Sequence, residues 1–356
     1  MRKLVSYFKS AEFPRIVEVS ENARKKVRNT LEAMDCSSAL LITGKNVYDA
    51  VARKIEERLE GLVLRTVFVT TLRLEDVRRT EVEMGLEEVD SVVGVGGGRV
   101  LDFGKVISSE LNAPFISIPS TASHDGIASP VASFKENGKP VSISTNPPAA
   151  VLADITVIRN SPIRLVRSGY GDLISNVTAV KDWKLGKEIK DEEYSEVAAS
   201  MALMPANLLL AEADRLDLKT PSHLELLVKG LILSGMTISI VGSSRPVSGA
   251  EHKFSHALDY LGYGNGTHGE QVGIGTIIME YFHEKAYGVG DWELIKSSLE
   301  KIQAPTMARE IGLTKEQVIE ALQYAKRVRK KRYTILEDLD PSKEDFEIAL
   351  EKTGVV

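Results

Sequence analysis

The first half of the chain alternates short runs of β-branched residues with amphipathic stretches, and this alternation constrains the fold more than any other feature. Strands that alternate with helices in this way form a parallel sheet with helices on its faces. The runs that have the length and composition of strands are 15–19, 39–43, 64–69, 91–95, 114–118 and 150–155. The sequence therefore predicts an α/β fold that begins with a doubly wound, mostly parallel, Rossmann-like sheet.

After Pro162 the apolar residues follow the helical period of 3.6 residues almost everywhere. Helices are predicted over 163–185, 193–214, 222–240, 250–261 and 269–287, followed by several shorter ones. A chain of 356 residues exceeds what one hydrophobic core usually organises. We therefore predict an α/β domain over residues 1–162 and a C-terminal all-α helical domain over residues 163–356.

The segment between Ser129 and Pro147 departs from the alternation of strands and helices. It contains alternating apolar residues on both sides of Asn137-Gly138, a dipeptide that favours tight hairpin turns. We therefore predict a β-hairpin inserted before the last strand of the sheet.

Composition excludes several classes of function. The formal net charge of −5 disfavours a dedicated nucleic-acid binder or a protein that docks on anionic membranes. Lys229, Gly230 and Ser234 interrupt one of the longest apolar tracts, so we predict no membrane span. The single cysteine, Cys36, permits no disulfide framework and is consistent with a reducing cytoplasm. These properties favour a cytoplasmic protein that acts on a small molecule.

Three of the six histidines lie in one short stretch. The i, i+4 spacing of His252 and His256 places both on one helical face, and the glycine-rich turn over 262–266 allows His268 to approach them. Two or three imidazoles with one carboxylate and an open position form the ligand set of a catalytic zinc or similar divalent site. Asp172, at the predicted start of a helix, is the best candidate for the carboxylate. The alternative is that these histidines belong to a helix surface and core without metal.

Two polar loops follow consecutive predicted strands. Gly94-Val95-Gly96-Gly97-Gly98-Arg99 connects a strand to a helix, a context in which backbone amides can hold a pyrophosphate. It differs from the usual dinucleotide fingerprint because Arg99 replaces the third glycine, so a plain strand-to-helix turn remains the alternative. The loop 117–126 follows the next strand and carries the hydroxyls of Ser120, Thr121 and Ser123. Ligands of open α/β sheets bind at this edge.

The residues that follow the second predicted strand indicate whether the site can bind NAD, NADP or both. Residues 44–46, after the second predicted strand, contain no carboxylate to bind the ribose 2′-hydroxyl of NAD. That absence leaves room for a 2′-phosphate. We therefore expect NADP(H) as well as NAD(H) to bind.

These motifs together resemble a known family. The motifs are Gly96-Gly97-Gly98-Arg99-Val100-x-Asp102, the loop 120–126, Gly171-Asp172, Ser244-Arg245-Pro246 leading to Glu251-His252-x-x-x-His256, and His268-Gly269-Glu270. They resemble the sn-glycerol-1-phosphate dehydrogenases of archaea. That family lies within the superfamily of glycerol dehydrogenase, iron-type alcohol dehydrogenases and 3-dehydroquinate synthase. The resemblance spans nearly the whole chain.

The resemblance implies reversible reduction of dihydroxyacetone phosphate to sn-glycerol 1-phosphate, which supplies the backbone of archaeal membrane phospholipids. It implies one Zn²⁺ per subunit, held by Asp172, His252 and His268. It implies that His256 and Asp125 face the substrate, together with the zinc ligand Asp172. The implied nucleotide contacts are Gly98, Arg99, Val100, Leu101, Asp102, Ser120, Thr121, Ala122, Ser123 and Ser129.

The chemistry of these residues suits that reaction. A divalent ion on Asp172 can polarise the substrate carbonyl while the nicotinamide delivers hydride. His256 is the candidate proton donor, because an imidazole titrates near operating pH, and Asp125 would orient a substrate hydroxyl. Arg245 is the candidate for the substrate phosphate, with capping of the preceding helix as its alternative role.

Other functions remain open at this point. A glycerol dehydrogenase would use the same metal and nucleotide on an unphosphorylated polyol, and 3-dehydroquinate synthase would need additional basic residues. A catalytically silent nucleotide-binding scaffold would have no reason to keep three polar ligands between two domains. A homo-oligomer is expected from the size of the chain and its helical surface. Zinc, iron and nickel share these ligands.

Overall fold

The structure is a computed structural model that describes residues 11–84, 89–136 and 139–356. Its strands are β1 (Ile16–Ser20), β2 (Ala39–Thr43), β3 (Val63–Phe68), β4 (Val92–Gly96), β5 (Phe115–Pro119), β6 (Val131–Glu136), β7 (Lys139–Ser144) and β8 (Ala150–Asp154). The main sheet has the order β1-β8-β5-β4-β2-β3, and all of its neighbouring strands are parallel. All the strands predicted for this sheet are confirmed.

The inner strands explain why the sequence contains such continuous apolar runs. Every residue of β2, β4, β5 and β8 is buried. A parallel sheet covered on both faces requires strands that are apolar on both sides. The predicted hairpin is also confirmed, because β6 and β7 pair antiparallel. Its predicted turn at Asn137-Gly138 lies outside the described residues.

The helices of the sheet region are α1 (Val27–Glu32), α2 (Lys45–Val47), α3 (Arg53–Arg58), α4 (Leu74–Met84), α5 (Gly98–Glu110) and α6 (Ile155–Arg159). Those that follow are α7 (Ile163–Ile174), α8 (Asn176–Lys190), α9 (Glu196–Ala211), α10 (Pro221–Val241), α11 (Ala250–Leu261), α12 (His268–Tyr287), α13 (Trp292–Lys301), α14 (Lys315–Ala325), α15 (Ile335–Leu339) and α16 (Lys343–Thr353). Short irregular turns of helix occupy Ala23–Lys26, Tyr48–Ala52, Asp125–Ile127, Arg245–Val247 and Ala308–Ile311. Residues 163–356, all of them described, contain no strand, which confirms the all-α second half.

The predicted helix over 163–185 is wrong in one respect. The chain breaks at Ser175, whose hydroxyl donates to the carbonyl of Asp172 at 2.6 Å, and two helices result. Asp172 consequently lies in the last turn of α7 and not at the start of a helix. The glycines beside Asp172 suggested a helix start, but they are points of close contact with other segments.

One helix, α10, is long and apolar enough to cross a membrane by length and composition, and 56% of its most apolar window is buried inside the protein. It packs against α9 and against the turn Asp125–Ile127, so its apolar surface forms part of the core. One cluster of buried side chains continues from the sheet into the helices. The division at residue 162 therefore stays a prediction.

Candidate active site

The glycine turn between α11 and α12 brings three histidines together as predicted. Helix α11 ends at Gly262, and both Gly262 and Gly264 have positive φ angles of 72° and 74°, which glycine adopts without steric cost. The chain then reverses into α12, which begins with His268. The ring centroids of His252 and His268 are 5.0 Å apart, and those of His256 and His268 are 6.1 Å apart.

Glycines also bring α7 against the start of α12. A Cβ atom on Gly171 would lie 2.4 Å from the carbonyl oxygen of Gly269, and one on Gly269 would lie 1.8 Å from that of Ser168. Only backbones without side chains can approach this closely. Arg164 and Glu270 fasten the same crossing with a bidentate ion pair in which both contacts are 2.7 Å. This approach places Asp172 beside the histidines.

The three predicted metal ligands converge on one point. Oδ1 of Asp172 lies 3.5 Å from Nε2 of His252 and 3.5 Å from Nε2 of His268. All three donor atoms lie within 4.8 Å of one another. Ligand atoms about 2.1 Å from a tetrahedral ion are themselves about 3.4 Å apart, so this donor set fits a divalent metal with one open position.

Hydrogen bonds orient each of the three metal-ligand atoms toward that point. The backbone amide of Asp125 donates to Oδ2 of Asp172 at 2.9 Å, which leaves Oδ1 to face the histidines. Nδ1 of His252 contacts Oε1 of the fully buried Glu251 at 2.8 Å. Nδ1 of His268 lies 3.2 Å from the hydroxyl of Ser255, which in turn donates to Gln271 at 2.7 Å. A protonated Nδ1 on each ring frees Nε2 for a metal.

The electrostatics of two of the three residues, Asp172 and His268, suit metal binding in the metal-free protein. Burial alone would raise the pKa of Asp172, but hydrogen bonding to His252 and the charges on neighbouring histidines lower it to about 2. Burial, together with the charge on His252, lowers the pKa of His268 to about 3. At neutral pH the carboxylate is therefore ionised and His268 is neutral, as both ligands must be.

Asp125 and His256 flank the cluster at the cleft. Burial, reinforced by the negative charge of Asp172, raises the pKa of Asp125 to about 7. Burial and the positive charge of Arg329 lower the pKa of His256 well below its usual value. His256 was expected to titrate near operating pH, whereas its environment keeps it neutral there. A neutral imidazole can accept a proton from an alcohol.

The glycine loop lies beside the second polar loop at the carboxyl end of the sheet. Strands β4 and β5 pair Gly96 with Pro119, and the amide of Ser120 donates to the carbonyl of Gly96 at 2.9 Å. A Cβ atom on Gly98 would lie 2.2 Å from Nε2 of His124. The buried hydroxyl of Thr121 has no hydrogen-bond partner among the described residues. Exposed helix amides and a free buried hydroxyl together fit a phosphate-bearing nucleotide.

The other residues predicted to contact the nucleotide differ in how far they are buried and in what they contact. Arg99 is exposed and Ser123 is partly buried, while Ala122 is fully buried. The side chains of Val100 and Leu101 belong to the core, and their backbone amides donate to the carbonyl of Gly97 at 2.9 and 3.2 Å. The remaining two are buried polar residues, Asp102 and Ser129, which both line the cleft. Asp102 already pairs with the fully buried Lys105 at 2.9 Å.

These elements enclose a cleft of about 570 Å³ between the sheet and the helices. His124, Asp125, His252, His256 and His268 line it. Arg245, the predicted phosphate ligand, does not line this cleft. Its Nε atom pairs with Glu192 at 2.8 Å, and its guanidinium packs against Gly186. The structure therefore corrects that assignment, because Arg245 is buried and ion-paired with Glu192, although its Nη1 atom has no hydrogen-bond partner among the described residues.

Sequence reasoning missed four residues of the site. Glu251 and Ser255 orient the histidine ligands, His124 separates the glycine loop from His268, and Arg329 lines the cleft. Glu251 directly precedes a proposed ligand, so its carboxylate could have been recognised. His124 lies inside the polar loop that the sequence pointed to. Arg329 lies far along the chain and had no signal.

Comparison with known proteins finds a matching family model and similar chains. Residues 18–162 match the model of a family described as iron-containing alcohol dehydrogenase. A glycerol-1-phosphate dehydrogenase [NAD(P)+] of Archaeoglobus fulgidus is 60% identical over 98% of this chain and 99% of its own length. One of the same name from Pyrococcus furiosus is 42% identical, over 97% of this chain and 99% of its own.

Solved structures share the fold at low sequence identity. A probable glycerol dehydrogenase from Sinorhizobium meliloti superposes with a TM-score of 0.77 at 20% identity, covering 97% of this chain and 98% of the other. A maleylacetate reductase from Agrobacterium tumefaciens gives a TM-score of 0.75 at 17% identity, and 96% of each chain is covered. Likeness at 17% and 20% identity concerns the fold alone.

Proposed function

Because this chain belongs to the glycerol-1-phosphate dehydrogenase family, we propose that it reversibly reduces dihydroxyacetone phosphate to sn-glycerol 1-phosphate with NADH or NADPH. The product would supply the glycerophosphate backbone of archaeal membrane phospholipids. The observation that carries this proposal is the convergence of Asp172, His252 and His268 beside the glycine loop, where a hydride donor and a carbonyl could meet.

We propose that one Zn²⁺ per subunit binds to Asp172, His252 and His268. A bound divalent ion supplies Lewis-acid polarisation of the substrate carbonyl. The separation of the donor atoms and the two imidazole ligands support zinc. Glu251 and Ser255 position the two rings and so fix the geometry of the site.

The remaining cleft residues have separate tasks in this proposal. His256, held neutral by burial, exchanges the proton of the substrate hydroxyl at C2. Asp125 hydrogen-bonds a terminal hydroxyl of the substrate and thereby helps to choose the face that receives hydride. Its backbone amide also holds Asp172, so substrate orientation and ligand orientation depend on the same short turn.

The nucleotide is assigned to the domain of residues 1–162 and the metal and substrate to the helical domain of residues 163–356. Residues Gly98 to Asp102 at the start of α5 and the loop 120–123 with Ser129 would hold the phosphates and the nicotinamide end. Lys45 follows Gly44 at the end of β2 and could meet a 2′-phosphate, which supports use of both NADH and NADPH.

The decisive experiment follows oxidation of NADH and NADPH by the zinc-loaded protein with dihydroxyacetone phosphate and, in parallel, dihydroxyacetone. A strong preference for the phosphorylated ketone, with sn-glycerol 1-phosphate as the product, is the expected result. Activity on dihydroxyacetone alone would assign the protein to glycerol dehydrogenase chemistry. Inactivity on both ketones would refute the proposal.

We also propose that the protein is a cytoplasmic homo-oligomer. Val197, Met204 and Leu208 of α9 have relative exposures of 66%, 54% and 47%, and they recur along one helical face. Apolar stripes of this kind on a folded surface favour association. Light scattering coupled to size-exclusion chromatography tests this part, and a monomeric mass at micromolar concentration would contradict it.

A further inference from the structure

A pair of arginines, Arg329 and Arg332, lies beside the turn that connects α10 to α11. Nη1 of Arg329 donates to the hydroxyl of Ser248 at 2.9 Å and to that of Ser244 at 3.3 Å. Nη2 of Arg332 donates to the same Ser244 hydroxyl at 2.8 Å, and its Nη1 bonds the carbonyl of Ser248. Two guanidinium groups are thus fixed on two serines.

This arginine pair has no acidic partner at ion-pair distance within the described part of the chain. The nearby Arg245 differs, because it pairs with Glu192. Burial lowers the pKa of Arg329, and burial together with the charges on Arg329 and Arg245 lowers that of Arg332 well below its usual value. Two desolvated like charges without an ion-pair partner are unfavourable even though Glu251 acts on both at longer range, and an anion bound between them would relieve the repulsion.

The hydroxyl of Ser244 also lacks an acceptor. It already accepts hydrogen bonds from both arginines, which uses both of its lone pairs and leaves only its O–H to donate. No described residue accepts that hydrogen. The Ser248 hydroxyl likewise accepts from Arg329 and has no recorded acceptor among the described residues. Two hydroxyl donors beside two guanidinium groups are the surroundings that phosphate oxygens require.

The backbone of Arg329 is held in an uncommon conformation. Its φ angle is 47°, in the left-handed region that side-chain-bearing residues seldom occupy. Such conformations persist where the surrounding structure holds them and are frequent at ligand-binding positions. Here the conformation is accompanied by hydrogen bonds that fix the guanidinium against Ser244 and Ser248.

The same residues reach the metal site. Arg329, Ser244 and Ser248 line the cleft that also contains His256 and His268. The charge of Arg329 lowers the pKa values of both histidines, so the guanidinium lies within electrostatic range of the reaction centre. Arg332 lies behind Arg329, on an adjoining hollow that shares Ser244.

We propose that Arg329, with the hydroxyls of Ser244 and Ser248, binds the phosphate group of the substrate, and that Arg332 holds those serines and adds positive charge behind them. The inference rests on the proposed function and deepens it, because it names the residues that distinguish a phosphorylated ketone from an unphosphorylated one. The proposal assigns the substrate phosphate to Arg329 instead of Arg245, whose charge is already paired with Glu192.

The test compares Arg329→Gln with Lys330→Gln in the zinc-loaded protein. Lys330 is an exposed neighbour that does not line the cleft, so its variant removes one positive charge outside the proposed site. Arg329→Gln is expected to raise KM for dihydroxyacetone phosphate roughly 10- to 100-fold, since it removes a charge-assisted hydrogen bond. Its effect on kcat/KM for dihydroxyacetone should be much smaller, because that ketone carries no phosphate. Lys330→Gln should change both substrates by less than about threefold.

Two further measurements distinguish a lost phosphate contact from misfolding of the variant and from failure of the proposed function. Inorganic phosphate should inhibit the wild-type enzyme competitively against dihydroxyacetone phosphate, and Arg329→Gln should weaken that inhibition by a similar factor. Arg329→Lys should recover part of the loss, because it restores the charge without the planar fork. Equal losses on both ketones, or no loss on either, would overturn the inference. A wild-type enzyme inactive on dihydroxyacetone phosphate would refute the proposed function itself.

Discussion

Two buried carboxylates in consecutive helices, Asp172 in α7 and Asp182 in α8, each contact histidine but have opposite surroundings. Oδ1 of Asp172 faces two imidazole nitrogens at 3.5 Å, too far for strong hydrogen bonds, beside an open cleft. Asp182 accepts from the amides of Ala250 and Ile335 at 2.7 and 2.8 Å and lies 3.0 Å from Nε2 of His283.

The difference lies in how each carboxylate is paired and whether it faces the cleft. Oδ1 of Asp182 accepts from Ile335 and contacts His283, while Oδ2 accepts from Ala250, so this carboxylate joins α8, α11, α12 and α15 and does not line the cleft. Asp172 uses one oxygen for the amide of Asp125 and keeps the other for a ligand role. A carboxylate beside a histidine is therefore a metal site only where the backbone leaves its oxygen unsatisfied and a second imidazole converges on it.

The largest expected effect is on Asp172. Asp172→Asn should abolish stoichiometric zinc and lower kcat/KM at least about 10³-fold, because Lewis-acid stabilisation is worth several kcal/mol in the transition state. The nucleotide region should remain folded and bind NADH. Elemental analysis, steady-state kinetics and NADH fluorescence measure the three quantities. A variant that kept its zinc and its rate would remove Asp172 from the site.

Asp182→Asn should produce the opposite pattern. We expect the free energy of unfolding to fall by about 3 kcal/mol, since the change breaks a fully buried and hydrogen-bonded carboxylate. The protein that remains folded should hold zinc and turn over at nearly the wild-type rate. Thermal unfolding of the metal-loaded variant beside Asp172→Asn checks this. If Asp182→Asn lost metal without losing stability, the distinction between the two carboxylates would fail.

Positioning residues should have smaller effects. Glu251→Gln is expected to weaken zinc affinity about 10- to 100-fold, because a carboxylate on the outer nitrogen of a ligating histidine orients the ring and raises its basicity. Ser255→Ala removes the neutral partner of His268 and should weaken affinity less, since charge-assisted hydrogen bonds are stronger. Competition with a chelator measures both variants. A larger loss in Ser255→Ala would reverse the ranking.

The sequence predicted the sheet almost completely, because each inner strand is buried on both faces and therefore appears as an uninterrupted apolar run. The same holds for α11, whose predicted bounds coincide with the observed helix, since Gly262 ends it. The break at Ser175 was missed because the apolar period continues through it. Only the tertiary contact of Gly171 with Gly269 shows why Asp172 faces inward.

The helical spacing of His252 and His256 and the glycine turn before His268 predicted that the three histidines meet, and the family resemblance implied that Asp172, His252 and His268 are the ligands. The substrate side was predicted less well. Arg245 lies in a recognisable motif, but its partner Glu192 is a long way along the chain, and sequence spacing does not reveal an ion pair of that kind. Arg329 approaches Ser248 across a separation of 81 residues. Local periodicity carries no information about such contacts.

The last prediction changes no residue and concerns the proton that zinc must displace. Burial would lower the pKa of His252, but hydrogen bonds to Asp172 and Glu251 raise it to about 9 in the metal-free protein. That raised pKa stabilises the metal-free fold fully below the ordinary histidine value, and the contribution is lost as pH rises through about 9. Zinc affinity has the opposite dependence, because protonated His252 cannot bind metal.

Zinc affinity should therefore increase about tenfold per pH unit between pH 7 and 9 and level off above. His268 and Asp172 contribute no proton in this range, because their pKa values are about 3 and about 2. Calorimetric titration at pH 8 in two buffers of different ionisation enthalpy should detect close to one proton released per zinc. Glu251→Gln lowers the pKa of His252 and should reduce that number. Zinc binding without proton release would show that His252 is already neutral, and the contrast with Asp182 would then rest on geometry alone.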